Sequence, residues 1–354
     1  MGMLKGAASL RLIRVAVASL TLTIIAAATA NAQVGLSELR IRVETGADEP
    51  LSGALIALLD SAGRTVAEGL SSPAGIRVLH APVGSYQVRV RRIGFRPYLS
   101  EFVLLPREKE MRLRVESAPV VLSAVVVATH SQCRVLSEGG GSLATVWDEI
   151  AKALRATELT AADAATLGRP RVYRKQVTSD GRVATTDTTL LRAGAHRPFR
   201  AMNPSALSTL GYVIGDEISG WEFFGVDETT LLSGGFRNTH CFRVVRDRSR
   251  PGQIGLAFDP VPRRPVSDVA GTLWLDERTA ELRELTYRYT GAGPISDYGG
   301  SGYTRFRRMP SGVWIVDEWW LRVPWLQRRM QPVPRIVPMG YVEHGGDLIP
   351  PDGA

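Results

Sequence analysis

Short runs in which apolar and polar residues alternate, each bounded by glycine, proline or aspartate, recur along most of this 354-residue chain. Leu39, Ile41 and Val43 alternate with Arg40, Arg42 and Glu44, the period-two pattern of a strand with one buried and one wet face. Tyr86, Val88 and Val90 alternate with Gln87, Arg89 and Arg91, and Leu285, Tyr287 and Tyr289 share a face further on. Such runs cannot gather their apolar residues on one side of a helix, so the chain is committed to sheets. Asp180-Gly181 and Pro310-Ser311-Gly312, each between two such runs, are hairpin signals that make neighbouring strands antiparallel.

One stretch breaks this rhythm. Leu143, Val146, Trp147, Ile150, Ala151 and Leu154 recur at helical spacing, with Asp148, Lys152 and Arg155 opposite, which predicts a helix with one apolar and one wet face. A lone helix ahead of consecutive hairpins has to cover one face of their sheet. The expected fold class is therefore mainly β: an N-terminal β-sandwich, then an α+β antiparallel-sheet domain with one main helix.

Residues 1–32 read as an export signal, with Lys5, Arg11 and Arg14 ahead of an apolar run and Ala30-Asn31-Ala32 as the small-x-small cleavage site. The division expected is residues 1–32 as signal peptide, 33–128 as sandwich, 129–142 as a linker containing "SEGGGS", 143–328 as the antiparallel-sheet domain and 329–354 as a tail rich in proline and glycine. The expected location is exported: periplasmic, outer-membrane-associated or extracellular. Losing the signal lowers the net charge from +8 to about +5, and neither part carries the concentrated basic stripe that phosphate-backbone binding needs, so nucleic acid is not an expected partner.

The segment "PLSGALIALLDSAGRTVAEG", continued in "SPAGIRVLHAPVGSYQVRVRRIGFRPY", resembles the carboxypeptidase regulatory-like domain, a transthyretin-like sandwich of about seven strands. The resemblance covers residues 36–117 and implies an accessory module that accompanies other domains without being catalytic; related sandwiches are grouped with sugar-binding modules. Ser72-Pro73-Ala74-Gly75 stands where that family often has an acidic, glycine-bearing hairpin, so no calcium-lined turn is implied. The rhythm "GTLWLDERTAELREL" is similar to the strand-turn-strand unit of lipoprotein-carrier-like half-barrels and carries no active-site residue across.

Candidate site residues come from three patterns. Trp319 and Trp320 are adjacent and face opposite ways on a strand, so Trp314, Trp319 or Trp320, with Tyr287 or Tyr289, are candidates for a groove that takes sugar rings or acyl chains; the other reading is that they are core. Arg89, Arg91, Arg92 and Arg96 read either as an anion patch or as the solvated face of a strand and its turn. Cys133 and Cys241, near His130 and His240, read as a disulfide, a zinc site or free thiols. In an exported chain the disulfide leads, and adjacent His240 and Cys241 would diverge on opposite strand faces, so no metal and no cofactor are expected.

Neither His-Glu-x-x-His nor Gly-x-Ser-x-Gly occurs. The acidic pairs Asp148-Glu149, Asp216-Glu217, Asp227-Glu228 and Asp317-Glu318 are the residues a glycosidase reading would have to use. The function expected is a non-catalytic exported binding or assembly protein of the cell envelope, with a polysaccharide or lipid-like ligand or an envelope or outer-membrane protein as partner. The alternatives are a carbohydrate-binding module, a periplasmic carrier of a lipid-like ligand, and an unrecognised hydrolase.

Overall fold

Seven strands occupy the N-terminal part: β1 (Ser37–Thr45), β2 (Leu55–Leu59), β3 (Thr65–Leu70), β4 (Ile76–Ala81), β5 (Gly84–Arg91), β6 (Tyr98–Leu105) and β7 (Glu110–Val115). They form two sheets, ordered β4-β1-β7 and β3-β2-β5-β6. Leu39, Ile41 and Val43 share a core with Ile56, Leu58, Tyr86, Val88 and Val90, as their alternation requires. β1 and β7 run parallel, because the chain returns to the first sheet only after β6 has completed the second. The computed structural model describes residues 36–107, 109–117, 122, 133, 141–164, 168–192, 201–216, 219–330 and 335–349, so the segment expected to be an export signal and most of that expected to be a linker lie outside the described residues.

The helix expected at Leu143 is α1 (Ser142–Ala164). After it come β8 (Arg169–Thr178), β9 (Val183–Leu190), α2 (Pro204–Leu210), β10 (Val213–Asp216), β11 (Gly220–Phe223), α3 (Glu228–Leu232), α4 (Gly234–Thr239) and β12 (His240–Val245). β13 (Gln253–Pro260), β14 (Asp268–Asp276), β15 (Leu282–Thr290), α5 (Pro294–Asp297), β16 (Ser301–Arg308), β17 (Trp314–Arg329) and β18 (Arg335–Ile349) follow. Nine of these strands make one antiparallel sheet, ordered β12-β13-β14-β15-β16-β17-β18-β8-β9. Val146, Trp147, Ile150 and Leu154 of α1 lie in a core with Phe242, Leu256, Leu273, Leu285 and Trp319, and the Trp147 and Phe242 rings are 5.7 Å apart. The short helices α3 and α4 are capped by Asp227, which accepts from Thr230 N at 2.8 Å, and by Ser233, which accepts from Phe236 N at 3.0 Å. The described residues form one compact unit.

β18 corrects the expectation of a tail over 329–354. It pairs with β17 on one side and β8 on the other along most of its length. Two glycines of this segment make room for aromatic rings. A Cβ on Gly345 would lie 2.4 Å from the Tyr173 ring, and one on Gly346 2.8 Å from the Trp319 indole nitrogen.

The sheet face away from α1 is laced by cross-strand pairs. Tyr303, Trp320, Gly345 and Tyr173 form one row, and Arg322, Glu343 and Lys175 the next. Glu343 accepts from Arg322 Nε at 2.6 Å and from the Tyr173 hydroxyl at 2.9 Å. Burial pushes its carboxyl upward, but the bonds from Arg322 and Tyr173 outweigh this and hold it below the ordinary value of 4.5. A depressed carboxylate stabilises the fold above its unfolded pKa and loses that contribution as pH falls through the folded one. Glu343→Gln should therefore cost about 1–2 kcal/mol near neutral pH, and the gap to the unaltered protein should close as urea titrations are moved to pH values below 4.5.

Candidate functional site

Arg89 and Arg91 stand opposite Ala57 and Leu55 across the β5–β2 pair, on the sheet face that points away from the sandwich core. Leu55 and Ala57 are themselves buried, so this second face is covered too. α1 is what covers it. Arg155 of α1 ion-pairs with Glu68 of β3 and with Glu158 of its own helix, and Arg91 Nη1 lies 3.8 Å from Asp148 Oδ1. Beside the helix, Leu70 and Ile93 reach the core of the large sheet. The sandwich also meets the β16–β17 turn backbone to backbone. Ser52 Oγ donates to Ser311 O at 2.5 Å, and a Cβ on Gly53 would lie 2.7 Å from Gly312 O.

These contacts correct the reading of the arginine cluster as a solvated face. Arg89, Arg91 and Arg92 are half-buried, and Arg96 alone of the four is exposed, 3.6 Å from Glu116. Part of the polar face of α1 is likewise enclosed. Lys152 Nζ lies 2.7 Å from Glu149 Oε1 and 2.8 Å from Asp148 Oδ2, with the Lys152 and Glu149 side chains only 4% and 3% exposed. Burial raises the Glu149 pKa, and Lys152 opposes that rise without cancelling it.

Where the end of β5, the middle of α1, the β14–β15 turn and the β16–β17 hairpin converge, they leave a cavity of about 210 Å³. Arg91, Arg92, Lys152, Glu281, Arg308 and Trp314 line it, with Leu55 and Ile93 as apolar wall. Glu281 is shared by Arg308 Nη1 at 3.6 Å and Arg283 Nη1 at 3.4 Å. Arg92 has no carboxylate within ion-pair distance among the described residues; its guanidinium sits 4.9 Å over the Phe95 ring. Burial, reinforced by repulsion from Arg308, lowers its pKa to about 10.

The five aromatic candidates do not come together in a groove. Tyr287 and Tyr289 are core residues, edge to face at 6.0 Å; the Tyr289 hydroxyl donates to Phe224 O at 3.1 Å, and the Tyr287 oxygen accepts from Val226 N at 3.3 Å. Burial pushes both phenols well up. Trp319 is buried in the same core. Trp314 is buried against the joint, its carbonyl accepting from Thr160 Oγ1 at 2.6 Å. Trp320, on the opposite face as its neighbour required, has one side stacked on Tyr303 at 5.6 Å and the Arg322 guanidinium 4.2 Å from its centroid. Both contacts come from its own sheet, and the ring is half-buried.

Cys133 and Cys241 form a disulfide, which consumes both thiols. His130 lies outside the described residues. His240 turns away from Cys241 into the core: Nδ1 is 2.9 Å from Phe236 O, and Nε2 is 3.0 Å from Val269 O and 3.1 Å from Asp268 Oδ1. Among the described residues no three His, Cys, Asp or Glu side chains are grouped to hold a metal ion. The acidic pairs are engaged locally: Lys152 holds Asp148 and Glu149, Asp227 caps α3, and Arg305 reaches both Asp317 and Glu318 at 2.9 Å. Glu217 lies outside the described residues.

No family model matches this chain, and no curated protein does. Among solved structures it is similar to the Bacillus anthracis TIE protein, at 14% identity over 45% of this chain and 25% of that one, with a TM-score of 0.20. It is also similar to the shaft pilin SpaA of Lactobacillus rhamnosus GG, at 9% identity over 69% of this chain and 95% of that one, and to BcpA, the major pilin subunit of Bacillus cereus, at 7% over 88% and 95%, both with TM-scores of 0.20. This chain spans about a quarter of the length of the first of these. A TM-score of 0.20 is too low to indicate a shared fold.

The enclosed charges at the joint give a direct test of its geometry. Lys152→Met leaves Glu149 and Asp148 without their cation and should destabilise the protein by about 3–5 kcal/mol. Lys152→Met combined with Glu149→Leu should recover most of that loss in the same urea titration, because an apolar pair replaces a buried ionic one.

Proposed function

We propose that this chain is a non-catalytic, exported component of the cell envelope that engages its ligand or partner where the sandwich meets the large sheet. The observation that supports this most is the joint cavity, built from both halves and lined by groups that hold rather than transform: cations, one shared carboxylate, and apolar wall. The disulfide supports an oxidising destination, as does the leader-like start of the sequence. The sandwich has the strand number expected from the regulatory-like resemblance, whose members are accessory modules.

The alternatives find less support. A sugar-stacking surface needs free ring faces, and the half-buried Trp320 ring already engages Tyr303 and Arg322. An acyl chain needs an apolar lining, which a wall carrying Arg91, Arg92, Lys152 and Arg308 does not provide. A glycosidase needs two carboxylates across a substrate, whereas Asp317 and Glu318 are tied to Arg305 and Arg307.

Two measurements test the reading. Expressed with its own leader, the protein should be recovered from the envelope fraction with an intact mass two hydrogens below that of its reduced form; recovery in the cytoplasm with two alkylatable thiols would contradict export. Loss of a bridge that spans 108 positions should cost about 4–5 kcal/mol in the Cys241→Ser variant. The purified protein should also leave envelope polysaccharide and phospholipid chemically unchanged on prolonged incubation, and turnover of either would replace a binding role with an enzymatic one.

A further inference from the structure

We propose that the joint cavity is a binding site for a phosphate or phosphate-bearing group, held between Arg91, Arg92 and Arg308 with Lys152 behind them. The proposal rests on the reading of the joint as a ligand site and names the chemistry of the ligand. Counting the lining charges with their ion-pair partners, Arg91, Arg92, Lys152, Arg283 and Arg308 face Asp148, Glu149, Asp276 and Glu281, five cations against four carboxylates. Arg89, half-buried beside Asp148, adds to the excess. Enclosing unmatched positive charge is costly, and a doubly charged oxyanion would balance it.

The donors are of the matching kind. Arginine forks present paired N–H groups to the oxygens of phosphate, a geometry that lysine or backbone donors reproduce less well. The Nε groups of Arg91 and Arg92 are buried without an acceptor. The two arginines come from the sandwich, while Arg308 and Lys152 come from the large sheet and its helix, so a bound anion would tie the two halves together. At about 210 Å³ the cavity is smaller than the roughly 300–1,000 Å³ of clefts that enclose whole organic ligands. It suits an anionic head group or a free ion and not a polymer segment.

Isothermal titration of the full chain with inorganic phosphate, at constant ionic strength, should give a saturable isotherm. Arg92→Met and Arg308→Met should each weaken it at least about tenfold, equivalent to about 1.4 kcal/mol. Arg96→Met, exposed and paired with Glu116, should leave it unchanged. Removing an unmatched buried charge should also raise the melting temperature of Arg92→Met in phosphate-free buffer, and phosphate should no longer raise it further. Sedimentation with phosphatidylglycerol but not phosphatidylcholine vesicles, lost in Arg92→Met, would assign the phosphate to a lipid head group; phosphate binding without vesicle binding would assign it to a soluble anion. Absence of binding in both arms, or binding that neither variant weakens, overturns the proposal. Envelope recovery and the disulfide are read separately, so that failure leaves the parent reading to its own tests.

Discussion

The enclosed charged face of α1 is the constraint on which the rest of the structure depends. A helix with an apolar stripe over a sheet ordinarily shows its polar side to water, but here that side meets the outer face of β3-β2-β5-β6. Lys152 and Glu149 are nearly sealed from solvent, and Asp148 and Arg155 reach Arg91 and Glu68 of the sandwich. Ions buried in this way contribute little net stability compared with an apolar replacement, but removing one partner is expensive. The two pairs that cross to the sandwich fix how the helix sits, because shifting it by a turn would separate Asp148 from Arg91 and Arg155 from Glu68.

From that contact the layering follows. The sandwich closes its own core with one face of β2 and β5 and uses the other face to cover α1, which in turn covers the nine-stranded sheet. The disulfide adds a second tie, between residue 133 and β12 at one edge of that sheet. The cavity lies beside the close backbone approach of Gly53 to Gly312, between Arg91 and Arg92 of the sandwich and the turn that carries Glu281. Its charge is a consequence of placement: β5 and the turn after it carry arginines and no carboxylate, and the packing sets them against Arg308 and Lys152.

Much of the fold was legible in the sequence, and for clear reasons. Alternation in β1 and β5, the Asp180-Gly181 and Pro310-Ser311-Gly312 turns and the helical stripe from Leu143 are local signals, and each gave the right element. The opposite facing of Trp319 and Trp320 follows from strand geometry alone. The failures were of tertiary origin. The proline and glycine of 329–354 suggest a tail until the rings of Tyr173 and Trp319 are known to lie over Gly345 and Gly346. Arg89 and Arg91 suggest water until α1 is placed above them. One cue to that burial was present: Ala54 to Leu59 is apolar without interruption, and a strand apolar on both sides is covered on both sides. Glu149, Lys152, Glu281 and Arg308 carried no such cue, because what joins them is the packing of elements far apart in sequence.

Hydrogen exchange under native conditions tests the central claim most directly, which is that α1 makes the sandwich and the sheet one cooperative structure. The amides of Ile56 and Leu58 in β2 and of Leu256 and Phe258 in β13 should share one opening free energy, and Lys152→Met should lower it equally at both places. Exchange from β2 that is unaffected by Lys152→Met, while β13 loses protection, would mean that the sandwich stands independently and that the joint does not govern the fold.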